Sequence, residues 1–508
     1  MRNSLFIAIC ILMAIMLTIL VVFSMRHLFK TKQVSGPDKY LRKIFVLCSV
    51  LLAVVLTVTI GYGIRHLLKK RFVVPSDPLV ASKLNKWQDQ RFGLLMHWGA
   101  YTEWEEVESW SICPEEWIVR KGPFAADFNE YTKAYEQLPT QFNPVDFNPE
   151  KWAKAAKDAG MGYVVFTTKH HDGFCMFDTK QTDYKITNPA YPYATNPRAN
   201  ITKEVFNAFR KDSFMIGAYF SKPDFHHPDF WWRYYPIFDR NVNYDISKHP
   251  EKWKSFEDFT YRQVQELMTD YGKIDILWLD GSWVRYKDGR QRIDMSRLVK
   301  MSRQQQPGLI VVNRDVPEEF EDYATPEQKI PENPLDYAWE SCISMGDSWT
   351  YTHTDQMKPS RKLITMMIQI VSKGGNFLLN IGPSAKGDWT PDAYKRLADI
   401  GAWMKINGEG IHKSQPVAPY TEKNICYTQA KDATATYAFL LSESDTVTLP
   451  ETVTLKIKAF SSIKRVTLLG TNADLKWSKV FGLLTVKIPG ELRRHNGLKY
   501  AAVFKIER

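Results

Sequence analysis

The chain is poor in cysteine and has no paired cysteine motif. Its six cysteines, at positions 10, 48, 113, 175, 342 and 426, include no C-x-x-C, which speaks against a zinc ribbon or a dithiol redox centre. Two of them lie in apolar N-terminal runs; the other four suit either reduced core positions or one or two disulfides. There is no internal repeat and no low-complexity tract, which removes solenoids and disordered scaffolds from consideration. Basic charge is also missing from most of the chain, despite a formal net charge of +11. Residues 1–75 hold eleven Lys and Arg against a single acid, Asp38, so the remainder is close to neutral. A nucleic-acid partner is therefore not expected.

What is present begins with two uncharged runs. Residues 5–23 and 44–64 are each long enough to cross a bilayer as a helix. The segment between them carries Arg26, Lys30, Lys32, Lys39, Arg42 and Lys43. The positive-inside rule places that loop in the cytoplasm and everything after residue 71 outside it, in the periplasm or at the cell surface. A start at Met25 would leave the second run as a signal anchor with the same orientation. No A-x-A site follows Ile60, which favours an uncleaved anchor. Residues 1–71 are thus read as a membrane segment, 72–88 as a linker with Pro75 and Pro78, 89–412 as the main domain and 413–508 as a C-terminal domain.

Within 89–412, helical and strand-like stretches alternate. Apolar runs end at His97, Thr168, Phe220, Asp280 and Val312, with amphipathic stretches such as 152–160 and 256–271 between them. Parallel strands with crossover helices give this pattern. Unusual polar residues follow nearly every run, which favours a (β/α)8-like barrel, with its site at the C-terminal strand ends, over an open sheet with one switch point. From about Pro416 the period becomes two, as in Val453, Leu455 and Ile457, and suggests an all-β sandwich.

The stretch Lys273-Ile-Asp-Ile-Leu-Trp-Leu-Asp280-Gly281 delivers a carboxylate to the end of a buried strand. Taken alone, Asp280 reads rather as the start of an Asp-Gly turn. His97, in Met96-His97-Trp98-Gly99, and His170 and His171, in Thr168-Lys169-His170-His171-Asp172-Gly173, follow two other strands. Neutral imidazoles donate and accept, which suits a ring with several hydroxyls; core or supporting positions are the plainer alternative. Adjacent histidines after a strand are expected to point their rings to opposite sides, so no shared metal ion is expected. Gly374-Gly375-Asn376 precedes an apolar strand without a Lys-Ser/Thr pair, so it is no phosphate loop, and no cofactor is called for.

Phe92-Gly93, Met96-His97-Trp98-Gly99, Thr168 to Phe174, Leu277-Trp278-Leu279-Asp280-Gly281 and Gly374-Gly375-Asn376-Phe377-Leu378-Leu379-Asn380-Ile381-Gly382-Pro383 resemble, in order, the α-L-fucosidases of glycoside hydrolase family 29. The resemblance runs from about residue 85 to 412, and less distinctly beyond. It implies a retaining exo-glycosidase acting on terminal α-L-fucose of a glycan, with Asp280 as nucleophile. For the acid/base it offers Glu327, in Tyr323-Ala-Thr-Pro-Glu327, with Glu340, in Ala338-Trp339-Glu340, as runner-up. It further implies substrate contacts from His97, Glu116, Trp117, His170, His171, Tyr219, Trp278, Arg314 and Trp349. Glu115, beside Glu116, reads as a solvated charge. The loop Ser221 to Trp232 departs from the family pattern, which leaves leaving-group specificity open; Trp231 and Trp232 either line a subsite or cap the barrel. A silent glycan-binding protein on the same barrel, or a metal hydrolase built on the histidines, are the alternatives. Linkage, native glycan and oligomeric state are not legible.

Overall fold

Alternate residues of the central strands face two different cores, and this explains why the strands read as unbroken apolar runs. In the computed structural model, which describes residues 75–284, 291–314, 316, 319–456, 463–471, 473–494 and 497–508, seven strands pair in parallel in the order β5-β4-β3-β2-β1-β7-β6. They are β1 (Phe92–Met96), β2 (Tyr163–Lys169), β3 (Met215–Ser221), β4 (Ile276–Asp280), β5 (Ile310–Val312), β6 (Glu340–Ser344) and β7 (Asn376–Asn380). Ile276 and Trp278 of β4 join an inner core with Leu95, Val165 and Tyr219, whereas Leu277 and Leu279 join the core beneath the helices.

Residues 322–328 occupy the eighth position, between β5 and β6, without forming a regular strand. The Asp322 N–H donates to Val311 O at 2.9 Å, and the Val311 N–H donates to the Asp322 carboxylate at 2.6 Å. Ala324 and Glu327 bridge in parallel to Trp339 and Cys342. Pro326 lies between these bridges and has no N–H to give. The expected eight-fold barrel is therefore seven regular strands and one irregular segment.

The stretch expected as a linker, 72–88, contributes most of a helix, α1 (Pro78–Gln90). Pro78 stands at its first turn, where a missing N–H costs nothing, and the Asp77 carboxylate caps it by accepting from the Leu79 N–H at 2.8 Å. Val80, Leu84 and Trp87 share one buried face, and Trp87 stacks on Tyr323 with ring centroids 4.0 Å apart. The crossovers are α2 (Phe128–Glu136) and α3 (Pro149–Asp158) before β2, α4 (Ile201–Lys211), α5 (Pro250–Asp270), α6 (Met295–Gln305) and α7 (Ser360–Ser372); α8 (Pro391–Asn407) follows β7.

The C-terminal part holds β8 (Ser414–Glu422), β9 (Ile425–Ala430), β10 (Ala435–Thr446), β11 (Thr452–Lys456), β12 (Arg465–Leu468), β13 (Lys476–Val480), β14 (Leu483–Lys487) and β15 (Lys499–Glu507). They form antiparallel sheets ordered β12-β15-β10-β9-β8 and β11-β14-β13. Tyr437 and Phe439 of β10 pack with the barrel's core, while Ala438 and Leu440 pack with Leu455, Leu484 and Val486 of the smaller sheet. The period of two read at Val453 and Leu455 thus belongs to the smaller sheet, whose strands bury alternate residues on one face, whereas the first half of β10 is buried on both faces. Cys113, Cys175, Cys342 and Cys426 are buried free thiols. The two apolar runs at 5–23 and 44–64 lie outside the described residues; among the described residues no helix is long and apolar enough to cross a membrane.

Candidate active site

Asp280 ends β4 with the same parity as Trp278, so its carboxylate turns toward the barrel axis at the C-terminal rim. Gly281 follows with φ +86°, and a Cβ there would meet Pro223 Cδ at 2.2 Å. The Asp-Gly turn therefore exists, and it serves the carboxylate. Oδ1 accepts from the Gly281 N–H at 2.7 Å and from Arg314 Nε at 3.2 Å, and Oδ2 accepts from the Tyr219 hydroxyl at 2.5 Å. Burial alone would raise the Asp280 pKa; Arg314, followed by His171 and the Tyr219 hydroxyl, outweighs it and holds the carboxyl below the usual carboxylate range.

Arg314 lies past β5 in the left-handed region, φ 57°, with its guanidinium 5.1 Å from the Trp278 ring centroid. Nη1 donates to Thr325 O at 3.1 Å, and Nη2 donates to the Glu327 carboxylate. One planar fork therefore holds both Asp280 and Glu327.

The three histidines line the same pocket, of about 400 Å³. His97 takes both its backbone N–H and Nδ1 to Asn380 Oδ1, at 3.1 and 2.9 Å. The amide oxygen makes Nδ1 the donor and leaves Nε2 as an acceptor. The Ser221 hydroxyl donates to Pro223 O at 2.6 Å, so it accepts from His171 Nδ1 at 2.7 Å, and His171 Nε2 is likewise an acceptor, 3.9 Å from Asp280 Oδ2. His170 Nδ1 meets Ser109 Oγ at 2.5 Å. Burial lowers the pKa of His97 and of His171 to about 4 and that of His170 well below its usual value, so all three are neutral in ordinary working conditions.

The expectation that His170 and His171 diverge is corrected, for their ring centroids are 4.2 Å apart. Both lie beyond the last residue of β2, where strand alternation no longer applies. With Asp280 they form a trio of donor atoms within 4.8 Å of one another. A cation there would have Asp280 as its one charged ligand, and that carboxylate is already held by Arg314. The chemistry of this donor set favours a polyhydroxylated ring over a metal.

Trp278, Arg314, Glu327 and Trp349 line the pocket, and Tyr219 stands behind Asp280 with its ring stacked on Trp278 at 5.2 Å. Three other placements differ from expectation. Glu340 is fully buried, accepting from Tyr163 at 2.6 Å, Trp278 Nε1 at 3.2 Å and Tyr323 at 3.3 Å, and is not part of the pocket lining. Neither Glu116 nor Trp117 lines the pocket; Trp117 is 52% exposed, its ring 5.4 Å from that of Trp110. Glu115 is no solvated charge but bonds Arg240 Nε at 2.7 Å.

Among the lining residues that the sequence did not disclose are Glu108, Trp110, Arg240, Ser282, Trp283 and Lys329. The Glu108 carboxylate accepts from the Thr350 N–H at 3.1 Å, and burial raises its pKa to about 8. Trp110 lies 5.0 Å from His171 and 5.4 Å from Trp283, with the Arg240 guanidinium over both indoles. Glu108-Ser109-Trp110 carries the acid and indole one residue apart, a spacing that a search for adjacent Glu-Trp passes over. Trp231 stacks on Phe225 at 4.1 Å and Trp232 packs on Tyr235; neither lines the pocket, so of the two expectations for this pair the subsite is not met.

Residues 64–409 match the family model described as alpha-L-fucosidase. The chain belongs to the α-L-fucosidase family. Its residues 419–507 match the alpha-L-fucosidase C-terminal domain. Among curated fucosidases, the tissue alpha-L-fucosidase of Mus musculus is 28% identical over 430 residues, covering 81% of this chain and 88% of the relative; that of Homo sapiens is 29% identical over 432 residues, covering 80% and 86%. Among solved structures, alpha-L-fucosidase isoenzyme 1 from Paenibacillus thiaminolyticus is 30% identical with a TM-score of 0.69, covering 84% of this chain and 99% of that one. A GH29 fucosidase from Bacteroides thetaiotaomicron, trapped as a covalent intermediate with 2-fluoro-fucosyl fluoride, shares the fold at 24% identity and a TM-score of 0.68, covering 87% and 99%. As a fucosidase-family member the chain is a glycoside hydrolase.

Proposed function

We propose that this chain is a retaining exo-α-L-fucosidase in which Asp280 is the nucleophile and Glu327 the acid/base. The observation that carries the residue assignment is the single guanidinium of Arg314 bonding both carboxylates. Inverting glycosidases keep their carboxyl groups about 6.5–9.5 Å apart to seat a water between them, whereas retaining ones bring them to roughly 5–5.5 Å. One fork reaching both carboxylates supports the second arrangement. In the first step Asp280 bonds to the anomeric carbon as the C–O bond to the leaving sugar breaks, and the Glu327 proton passes to the leaving oxygen. In the second, Glu327 takes a proton from water, the water oxygen bonds to the anomeric carbon, and Asp280 is released as a carboxylate. Arg314 favours Asp280 ionised before attack and Glu327 ionised between the steps. The neutral histidines accept from ring hydroxyls, and Trp278 and Trp349 offer apolar faces for the C5 methyl side.

A second reading of the acid is favoured by one observation: Glu108, which lines the same pocket, is held protonated at neutral pH by burial. Glu340 is less suited than either, because its carboxylate is occupied by three donors away from the pocket.

We further propose that the runs at 5–23 and 44–64 anchor the enzyme in a membrane with its barrel on the extracytoplasmic side, supported by their length and by the basic segment between them. Hydrolysis of an aryl α-L-fucoside by the full-length protein, followed by NMR, tests the function: first-formed α-L-fucose is expected. Initial release of the β-anomer would overturn retention, and absence of any turnover would overturn the enzyme assignment. Resistance to alkaline carbonate extraction is the outcome expected of an anchored chain; full release would refute anchoring.

A further inference from the structure

A second cleft, of about 770 Å³, shares Glu108 and Trp349 with the fucose pocket. It is walled by the loop after β1, which brings Glu103, Trp104, Glu105 and Glu106, and by the loop after β6, which brings Trp349 and His353. Its position follows from the barrel. Asp280 ends the fourth of eight positions in the ring, and the two loops follow the first and seventh positions, flanking the eighth, which lies across the mouth from the fourth. A nucleophile and a leaving group occupy opposite faces of the anomeric carbon. The cleft therefore opens on the side toward which the leaving sugar departs, beyond the junction where Glu108 feels the charge of Glu327.

The walls have a consistent chemistry. Glu103, Glu105, Glu106 and Asp347 contribute carboxylates to the lining, against Lys121 as its one lysine or arginine. Glu105 spans the two loops, accepting from the His353 N–H at 2.7 Å and meeting its Nδ1 at 2.5 Å. The loop is fixed in an uncommon backbone shape, with Glu105 at φ 54° and Glu108 at φ 27°. Trp104 and Trp349 offer aromatic surface. Aromatic faces and carboxylate acceptors suit a second sugar; the carboxylates repel one that carries an acid.

We propose that this cleft seats the leaving glycan and selects neutral sugars over sulfated or carboxylate-bearing ones. The inference rests on the fucosidase reading. It is tested with the full-length enzyme on a neutral fucosyl disaccharide and the same disaccharide sulfated on the leaving sugar. Like-charge repulsion at partly exposed walls predicts about a tenfold lower kcat/KM for the sulfated substrate at low salt. The gap is expected to narrow several-fold in 0.5 M NaCl, since exposed charges beyond about a Debye length are screened. It is also expected to narrow in the triple variant Glu103→Gln, Glu105→Gln, Glu106→Gln, each substrate pair being compared within one protein. Equal rates at low salt, or preference for the sulfated sugar through Arg240 and Lys329 on the pocket's other walls, would overturn this proposal while leaving the fucosidase reading intact. Failure to cleave either disaccharide or an aryl fucoside would instead overturn the fucosidase reading.

Discussion

The indole N–H of Trp278 donates to the Glu340 carboxylate across 3.2 Å. Trp278 packs against both Tyr219 and Arg314, the two side chains that hold Asp280. Glu340 thus acts on the nucleophile through an indole. Glu340→Ala would leave three buried donors unmatched and a cavity in the inner core, at a cost of about 3–5 kcal/mol. Glu340→Gln keeps an acceptor, and the Tyr163 hydroxyl can reverse to accept from the new amide, so its loss is expected to be at most about 2 kcal/mol. Thermal unfolding of both variants checks this order, and azide is expected to restore activity to neither. Rescue of Glu340→Ala by azide would make Glu340 the acid/base after all.

Asp280→Asn keeps the turn at Gly281 but offers the anomeric carbon a neutral amide. A fall of about 10³-fold or more in kcat for an aryl fucoside is expected, of the size seen when a nucleophile is removed. Incubation of the unmodified protein with 2-fluoro-fucosyl fluoride should add one fluorofucosyl mass to the peptide holding Ile276–Asp280. A label on any other carboxylate would remove Asp280 from its role.

General acid catalysis contributes typically 10²–10⁴-fold, and its loss is smallest with a leaving group that needs no proton. Glu327→Ala is expected to lose about that factor on a sugar leaving group, to lose much less on an activated aryl fucoside, and to yield a fucosyl azide when azide is supplied. Glu108→Ala is expected to lose activity on both substrates alike without azide rescue, because in the favoured reading it contacts the bound sugar. The opposite pattern would transfer the acid/base role to Glu108.

Much of this arrangement is legible in the chain because barrel strands are buried on both faces. The apolar runs 163–166 and 276–279 are unbroken, and the polar residues that follow them fall at one rim. What escaped reading has local causes. Pro75 and Pro78 look like a linker, yet Pro78 begins α1. Glu340, offered as the runner-up acid by the Trp339-Glu340 pair, is the first residue of β6, so it sits toward the barrel end remote from the chemistry. Glu108 reaches the pocket from a short 3-10 turn in the left-handed region, which no hydrophobic period announces. Arg240 arrives from the long segment between β3 and α5, and only the Glu115 pair and the two indoles explain its position.

The titration of Glu108 gives the pocket an alkaline limit. Burial raises its pKa to about 8 from the usual 4.5, with Glu327 and Asp280 as further, smaller contributors in the same direction. Between those values the folded protein holds a proton that the unfolded chain has released, so stability from this group falls as pH rises from about 4.5 toward 8 and levels off above it. Activity should follow, because a third negative charge beside Asp280 and Glu327 disturbs both. The kcat/KM for an aryl fucoside is expected to decline above about pH 8, and Glu108→Gln, which cannot ionise, is expected to lose that limb while keeping the acidic one. The same variant should show a smaller drop in unfolding temperature between pH 5 and pH 8 than the unmodified protein. An unchanged alkaline limb in Glu108→Gln would assign it to another group and leave Glu108 as a hydrogen-bonding wall residue alone.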